Sequence, residues 1–134
     1  QDLQQHFAEA IEFIHKARTL ENGNVLIHCL AGVSRSVTIA IAYIMTCTEL
    51  PLSDVINAVK GARKVASPNF GFQRQLQNYE MTAVKTARWR LTKKIGPSKY
   101  DDEKVCKENI EKFWKQFDRY NIRNNCLFCS SIIA

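Results

Sequence analysis

The chain has 134 residues, 46% hydrophobic and 24% charged, with a formal net charge of +6. That bounds it to one ordinary globular domain at most. It leaves no apolar run able to span a bilayer, since the longest, Val37–Met45, has the length of a core helix. The five cysteines are odd in number and unevenly spread, which suits a reducing compartment such as the cytoplasm rather than a disulfide framework. No stretch reads as a signal peptide. The basic residues cluster late, so the charge reads as steering or solubility rather than nucleic-acid binding.

Asp2-Leu3-Gln4-Gln5 carries a capping-box pattern, and Leu3, Phe7, Ala10, Ile11, Ile14 and Ala17 recur at helical spacing. This predicts a first helix ending near Thr19, with His6 and His15 on it as surface or packing residues. Glu21-Asn22-Gly23-Asn24 is a turn. Val25-Leu26-Ile27-His28 is β-prone and mostly apolar, which predicts a short buried strand. From Ser34-Arg35-Ser36 onward an apolar run without Gly or Pro predicts a buried helix to about Thr48.

Between strand and helix lies Cys29-Leu30-Ala31-Gly32-Val33-Ser34-Arg35-Ser36. A helix N-terminus offers unpaired N–H groups and the positive end of its dipole, and loop amides can turn inward as an anion nest. Gly32 lets the backbone approach a phosphate closely, and Arg35 adds a planar fork for two of its oxygens. The amides of Leu30, Ala31, Gly32, Val33, Ser34 and Arg35 are the expected binding ring. Cys29 sits at its floor, where the dipole, the amides and the guanidinium favour the thiolate. A thiolate there is placed to attack phosphorus and form a phosphocysteine that water then hydrolyses. Ser36 is expected to hydrogen-bond the departing sulfur, and His28 to fix the loop. Charge in flight falls on oxygens held by Arg35 and the amides, so neither metal nor cofactor is required.

Glu49-Leu50-Pro51-Leu52 breaks the helix. Ser53 is expected to cap the next one, about Asp54 to Lys64, with Asp54 complementing the dipole. Arg63 to Pro68 reads as a loop. A single helix is expected from Phe70 or Gly71 to Leu91, its late Lys85, Arg88, Arg90, Lys93 and Lys94 forming a solvated face. Ile95-Gly96-Pro97-Ser98 is the best linker. Beyond it, Val105, Cys106, Ile110, Phe113, Trp114, Phe117 and Tyr120 share one stripe of an amphipathic helix from Asp101 to Tyr120, expected to cover the core. Asn121 to Ala134 reads as irregular. Cys126-x-x-Cys129 lacks two further zinc ligands, and Ser131 stands where prenylation needs a cysteine.

His28-Cys29-Leu30-Ala31-Gly32-Val33-Ser34-Arg35-Ser36 resembles the signature of the Cys-based dual-specificity protein phosphatases. Ala42-Tyr43-Ile44-Met45 resembles the motif that follows it. Pro68-Asn69-Phe70-Gly71-Phe72 with Gln75-Leu76 resembles the next marker, which would make Asn69 a brace of the phosphate loop. The resemblance covers about residues 1–82, and points to the small atypical branch that includes JNK-pathway-associated and myristoylated members. It implies dephosphorylation of phosphotyrosine and phosphoserine or phosphothreonine, with phosphoprotein substrates, MAP-kinase-pathway components among them. Membrane association would come only through a lipidated N-terminus not seen in this sequence.

The expected fold class is α/β: the C-terminal, mostly helical portion of a Cys-based phosphatase fold, with one central strand, the phosphate loop and four to five helices. Residues 1–94 would form a partial catalytic domain and residues 95–134 a C-terminal extension. The family's general acid is an Asp on a loop ahead of the first helix, and that loop is not in this sequence. Asp2 is the nearest candidate, but it reads as the helix cap. The chain is therefore either a fragment of a longer phosphatase or a product that lost its N-terminal half. Two rival readings remain open: a phosphate-binding module with little turnover, and a sulfur-transfer or arsenate-reducing enzyme with a similar loop.

Overall fold

The computed structural model describes the backbone of residues 1–129 and the side chains up to Tyr120. In chain order its elements are a 3-10 turn at Gln4–His6, α1 (Phe7–Thr19), α2 (Arg35–Cys47), α3 (Leu52–Ala62), α4 (Phe70–Thr82), α5 (Val84–Lys94) and α6 (Asp102–Cys129). The core is built around α2, against which α1, α3, α4 and α5 all pack. Val37, Ile41, Ala42 and Met45 of α2 meet Phe7, Ile11 and Ile14 of α1, Leu52 and Val55 of α3, Phe72, Leu76 and Tyr79 of α4, and Val84 and Leu91 of α5. Burying a side chain of this kind contributes roughly 1.5–3 kcal/mol. The helix that begins at the anion loop thus lies at the centre of the core.

Val25–His28 forms no strand, and there is none among the described residues. The segment keeps the alternation of an extended chain: Val25 and Ile27 pack toward the core, while Leu26 is 84% exposed and His28 is exposed. A strand also needs a ladder partner, and the neighbouring elements are helices. The expected central strand is thus corrected to an extended segment without a ladder partner among the described residues.

The helix ends are closed largely by distant side chains. Asp2 Oδ1 accepts from the Gln4 N–H (3.0 Å), and Gln75 Oε1 of α4 accepts from the N–H groups of Leu3 and Gln4 (2.8 and 3.0 Å). At the far end of α1 the left-handed residue is Asn22 (φ 52°), and the Gly23 N–H closes on Ala17 O at 2.9 Å. Ser53 does not cap α3. Pro51 holds the N-cap position, and Glu80 Oε1 accepts from the Leu52 N–H at 2.7 Å.

The single helix expected over 70–91 is two helices, which raises the number to six among the described residues. Thr82 Oγ1 donates to Asn78 O (2.7 Å), a back-bond that bends helices, and Ala83 leaves the helical region at φ −133°, ψ −23°. The bend turns Val84 and Leu91 inward and brings Arg88 to the end of α2. Its guanidinium donates to the carbonyls of Met45, Thr46 and Thr48 (3.0, 3.3 and 2.7 Å). Arg88 is therefore not part of a solvated face. It caps orphan carbonyls at the negative end of the central helix.

The helix α6 runs on through residues expected to be irregular, to Cys129; Ser131 and the rest of 130–134 lie outside the described residues, as do the side chains of Cys126 and Cys129. Its apolar stripe is split. Cys106 is buried and Ile110 and Phe113 are partly buried against α3, whereas Val105, Trp114, Phe117 and Tyr120 are exposed. The Arg18 fork grips both Asp102 oxygens (2.7 and 3.1 Å) and donates to the Tyr43 hydroxyl at 2.8 Å, tying α6 to α1 and α2. His15 is buried. Gly96 O only accepts, so His15 Nε2 donates to it (2.8 Å), and Nδ1 faces the Tyr43 hydroxyl (3.2 Å).

Helices α3 and α6 touch backbone to backbone at Gly61, where an added Cβ would lie 1.9 Å from Asn109 O and 2.8 Å from its carbon. Alanine gains about 1 kcal/mol over glycine within a helix, but this collision forces the helices apart, at a cost of about 1–3 kcal/mol or more. Gly61→Ala is expected to lower the thermal midpoint by several degrees and to expose α6 to protease first. An unchanged melt with an unchanged cleavage pattern would mean that the helices do not meet there.

Candidate active site

The loop from Leu30 to Ser34 joins the extended segment to α2. Its bend rests on Gly32, whose φ of 63° lies in the left-handed region that glycine adopts without strain. Ser34 holds the N-cap position of α2 without a side-chain cap bond. Its Oγ instead accepts from the Asn69 N–H (2.9 Å). The opening amides of α2 are thus not taken by a capping side chain and remain available to an anion.

Cys29 is half-buried, with its Sγ 3.2 Å from Ser36 Oγ. The Ser36 hydroxyl, then the Ser36 amide, lower the thiol pKa most, and the amides of Gly32 and Ala31 add to this against a smaller cost of desolvation. Together they hold it at about 6, well under the ordinary thiol range. Cys47 provides the contrast. At the far end of α2, burial pushes its thiol up to about 11. A helix of 13 residues separates the two sulfurs by roughly 18 Å, so Cys47 is no resolving partner for Cys29.

Because the thiol pKa is depressed, the thiolate predominates above about pH 6 and is lost tenfold per pH unit below it. Ser36→Ala removes the largest single cause. It is expected to move the pH midpoint of iodoacetamide alkylation upward and to slow turnover roughly tenfold. A midpoint that stayed near 6 would assign the depression to the backbone amides alone.

Arg35 begins α2, is exposed, and has no hydrogen bond or ion pair among the described residues. With Gln1, Ser34, Asn69, Gly71 and Phe72 it lines an open cleft of about 420 Å³. Asn69 meets the loop through its backbone N–H, while its side chain caps α4 by accepting from the Phe72 N–H (2.9 Å). Leu30 is 97% exposed and can contribute only its backbone. His28 is exposed and has no hydrogen-bond partner among the described residues, so the structure does not join it to the loop. None of the residues lining the cleft is a carboxylic acid, and Asp2 is engaged at the start of the first turn. Among the described residues, no three His, Cys, Asp or Glu side chains cluster as metal ligands would.

Two residues at the loop escaped the sequence reading. Arg63 Nε donates to Gly32 O (2.9 Å), and the Ser67 N–H donates to Val33 O (2.8 Å). An exposed arginine at a helix end looks like a dipole partner, and a backbone donor leaves no mark in sequence.

The dual specificity phosphatase catalytic-domain model matches residues 1–82. The chain belongs to that family. Dual specificity protein phosphatase 22 of Homo sapiens is 46% identical over 119 residues, covering 85% of this chain and 64% of that protein. Dual specificity protein phosphatase 15 of Mus musculus is 43% identical over 101 residues, covering 75% of this chain and 43% of that protein. A crystal structure of DUSP15 matches with a TM-score of 0.68 at 44% identity, over 72% of this chain and 61% of that one. The fold is therefore that of the family, and the chain spans less than two thirds of each of these relatives. The stretch matched by the family model contains the anion loop, α1 to α4 and the Arg63–Asn69 segment.

Proposed function

We propose that the chain carries the catalytic loop of a protein phosphatase acting on phosphotyrosine and on phosphoserine or phosphothreonine. In this reading the Cys29 thiolate attacks phosphorus. The S–P bond forms as the ester P–O bond breaks, and the alcohol leaves with a proton that a general acid or a water molecule supplies. Water then breaks the S–P bond, releasing inorganic phosphate and returning the thiolate. Arg35 and the amides from Leu30 to Arg35 hold the three transferring oxygens, and Ser36 steadies the sulfur as it departs. The observation that carries the reading is the Cys29 thiol at the mouth of an uncapped helix, 3.2 Å from Ser36 Oγ and acidified to about 6.

Kinship with phosphatases 22 and 15 supports phosphoprotein substrates. MAP-kinase-pathway phosphoproteins, a cytoplasmic location and membrane association through a lipidated N-terminus complete the proposal. A second reading, a phosphate-binding module with little turnover, is favoured by the engagement of Asp2, the expected general-acid candidate, as acceptor from the Gln4 N–H. Proton supply separates the two, because p-nitrophenolate leaves unaided and a serine alkoxide does not. Rates on p-nitrophenyl phosphate and on a phosphoserine peptide decide. Turnover of both supports the phosphatase, turnover of the first alone means that a general acid is lacking, and turnover of neither sinks the proposal.

A further inference from the structure

Residues 63–69 run beside the anion loop, and their own positions are firmly set. Arg63 ends α3, its N–H closing on Val59 O (2.8 Å), and its carbonyl accepts from the Ala66 N–H (3.0 Å). Ala66 and Pro68 are buried. From this anchored segment, three donors reach three consecutive loop residues. Arg63 Nε meets Gly32 O at 2.9 Å, the Ser67 N–H meets Val33 O at 2.8 Å, and the Asn69 N–H meets Ser34 Oγ at 2.9 Å.

A trans peptide unit points its carbonyl and its following N–H in opposite directions. Holding Gly32 O from outside therefore aims the Val33 N–H to the other side, and holding Val33 O does the same for the Ser34 N–H. The Gly32 unit most needs such a hold, because Gly32 is in the left-handed region, where glycine can rotate freely. Of the two carbonyl clamps, only the one on Gly32 is made by a side chain. The Arg63 guanidinium also covers the glycine, with Nη2 only 2.7 Å from where a Cβ would stand.

We propose that Arg63 is a positioning residue of the oxyanion loop, fixing the Gly32–Val33 peptide so that the Val33 N–H faces the bound oxyanion. The proposal rests on the loop being the oxyanion site argued above. Its action runs through Gly32 O and not through the arginine's charge, and this makes it separable by substitution. Glutamine carries an N–H donor at the same distance along the side chain as Arg63 Nε, without the charge. Methionine keeps the stem and has neither.

The experiment is tungstate binding by calorimetry to the wild-type chain, Arg63→Met and Arg63→Gln, with p-nitrophenyl phosphate kinetics alongside. Arg63 is exposed, so all three are expected to melt together. Arg63→Met should weaken tungstate roughly tenfold, the worth of one lost hydrogen bond to a well-aimed amide, and Arg63→Gln should restore affinity to within about threefold. Unchanged affinity in Arg63→Met would overturn the proposal. So would equal losses in both variants, which would assign the effect to charge. A wild-type chain that bound no tungstate would overturn both this proposal and the phosphatase reading. One that bound tungstate with the expected Met–Gln split but never hydrolysed the aryl phosphate would refute turnover alone.

Discussion

Replacing Cys29 by serine is expected to abolish hydrolysis of p-nitrophenyl phosphate, by a factor on the order of 10⁴ or more. The two side chains differ by one atom, and the site suits only sulfur. A thiol ionises near pH 9, and the surrounding donors need only bring it down to about 6. A hydroxyl starts far higher, and the nearest group to it would be Ser36 Oγ, itself a hydroxyl and no base. The donors that stabilise an anion cannot remove a proton that is held so tightly. Oxyanion binding should survive, because the amides of Leu30 to Arg35 are backbone groups that the substitution leaves in place. The expected result is thus a variant that binds tungstate about as well as the wild type and turns over nothing. Turnover within tenfold of wild type would show that Cys29 is not the nucleophile.

How much of this was legible in sequence depended on how far apart the interacting residues lie. Cys29, Gly32, Arg35 and Ser36 lie within one extended segment, loop and helix start, so their nearness along the chain follows from spacing alone. Gln75, Glu80 and Arg88 act on backbone groups many residues away, at Leu3, Leu52 and Thr48. Nothing in a window around Arg88 distinguishes a helix cap from a solvated cation. The break at Ala83 was equally hidden, since no glycine or proline marks it. It arises where Thr82 bonds back to Asn78 and where Val84 and Leu91 find buried places on the core. In sequence the α6 stripe reads as one surface, because periodicity counts apolar residues and not neighbours. Among the described residues α3 is the element packed along the helix, and it covers Cys106 while leaving Trp114 and Tyr120 exposed. Val25–His28 has an extended chain's alternation, which sequence reports well, but pairing is a property of two segments.

Arg35→Lys is expected to lower kcat/KM on p-nitrophenyl phosphate by about 10³-fold, although the charge is kept. Arg35 begins the central helix, where it is exposed and has no partner among the described residues, so its fork is free for substrate. A guanidinium offers two parallel N–H groups to two oxygens of a phosphoryl group. As phosphorus passes between ester oxygen and sulfur, its three remaining oxygens spread toward a plane, and a bidentate grip on two of them strengthens as they do. An ammonium meets one oxygen at a time and gains nothing from planarity. The loss should therefore fall mainly on kcat, with a smaller change in tungstate affinity. Were Arg35 only a source of field, the lysine variant would match the wild type, and both would weaken together as salt shortens the screening length. Comparing the two in low and high salt settles the matter. A lysine variant within about threefold of wild type would reduce Arg35 to a steering charge and leave transition-state stabilisation to the amides alone.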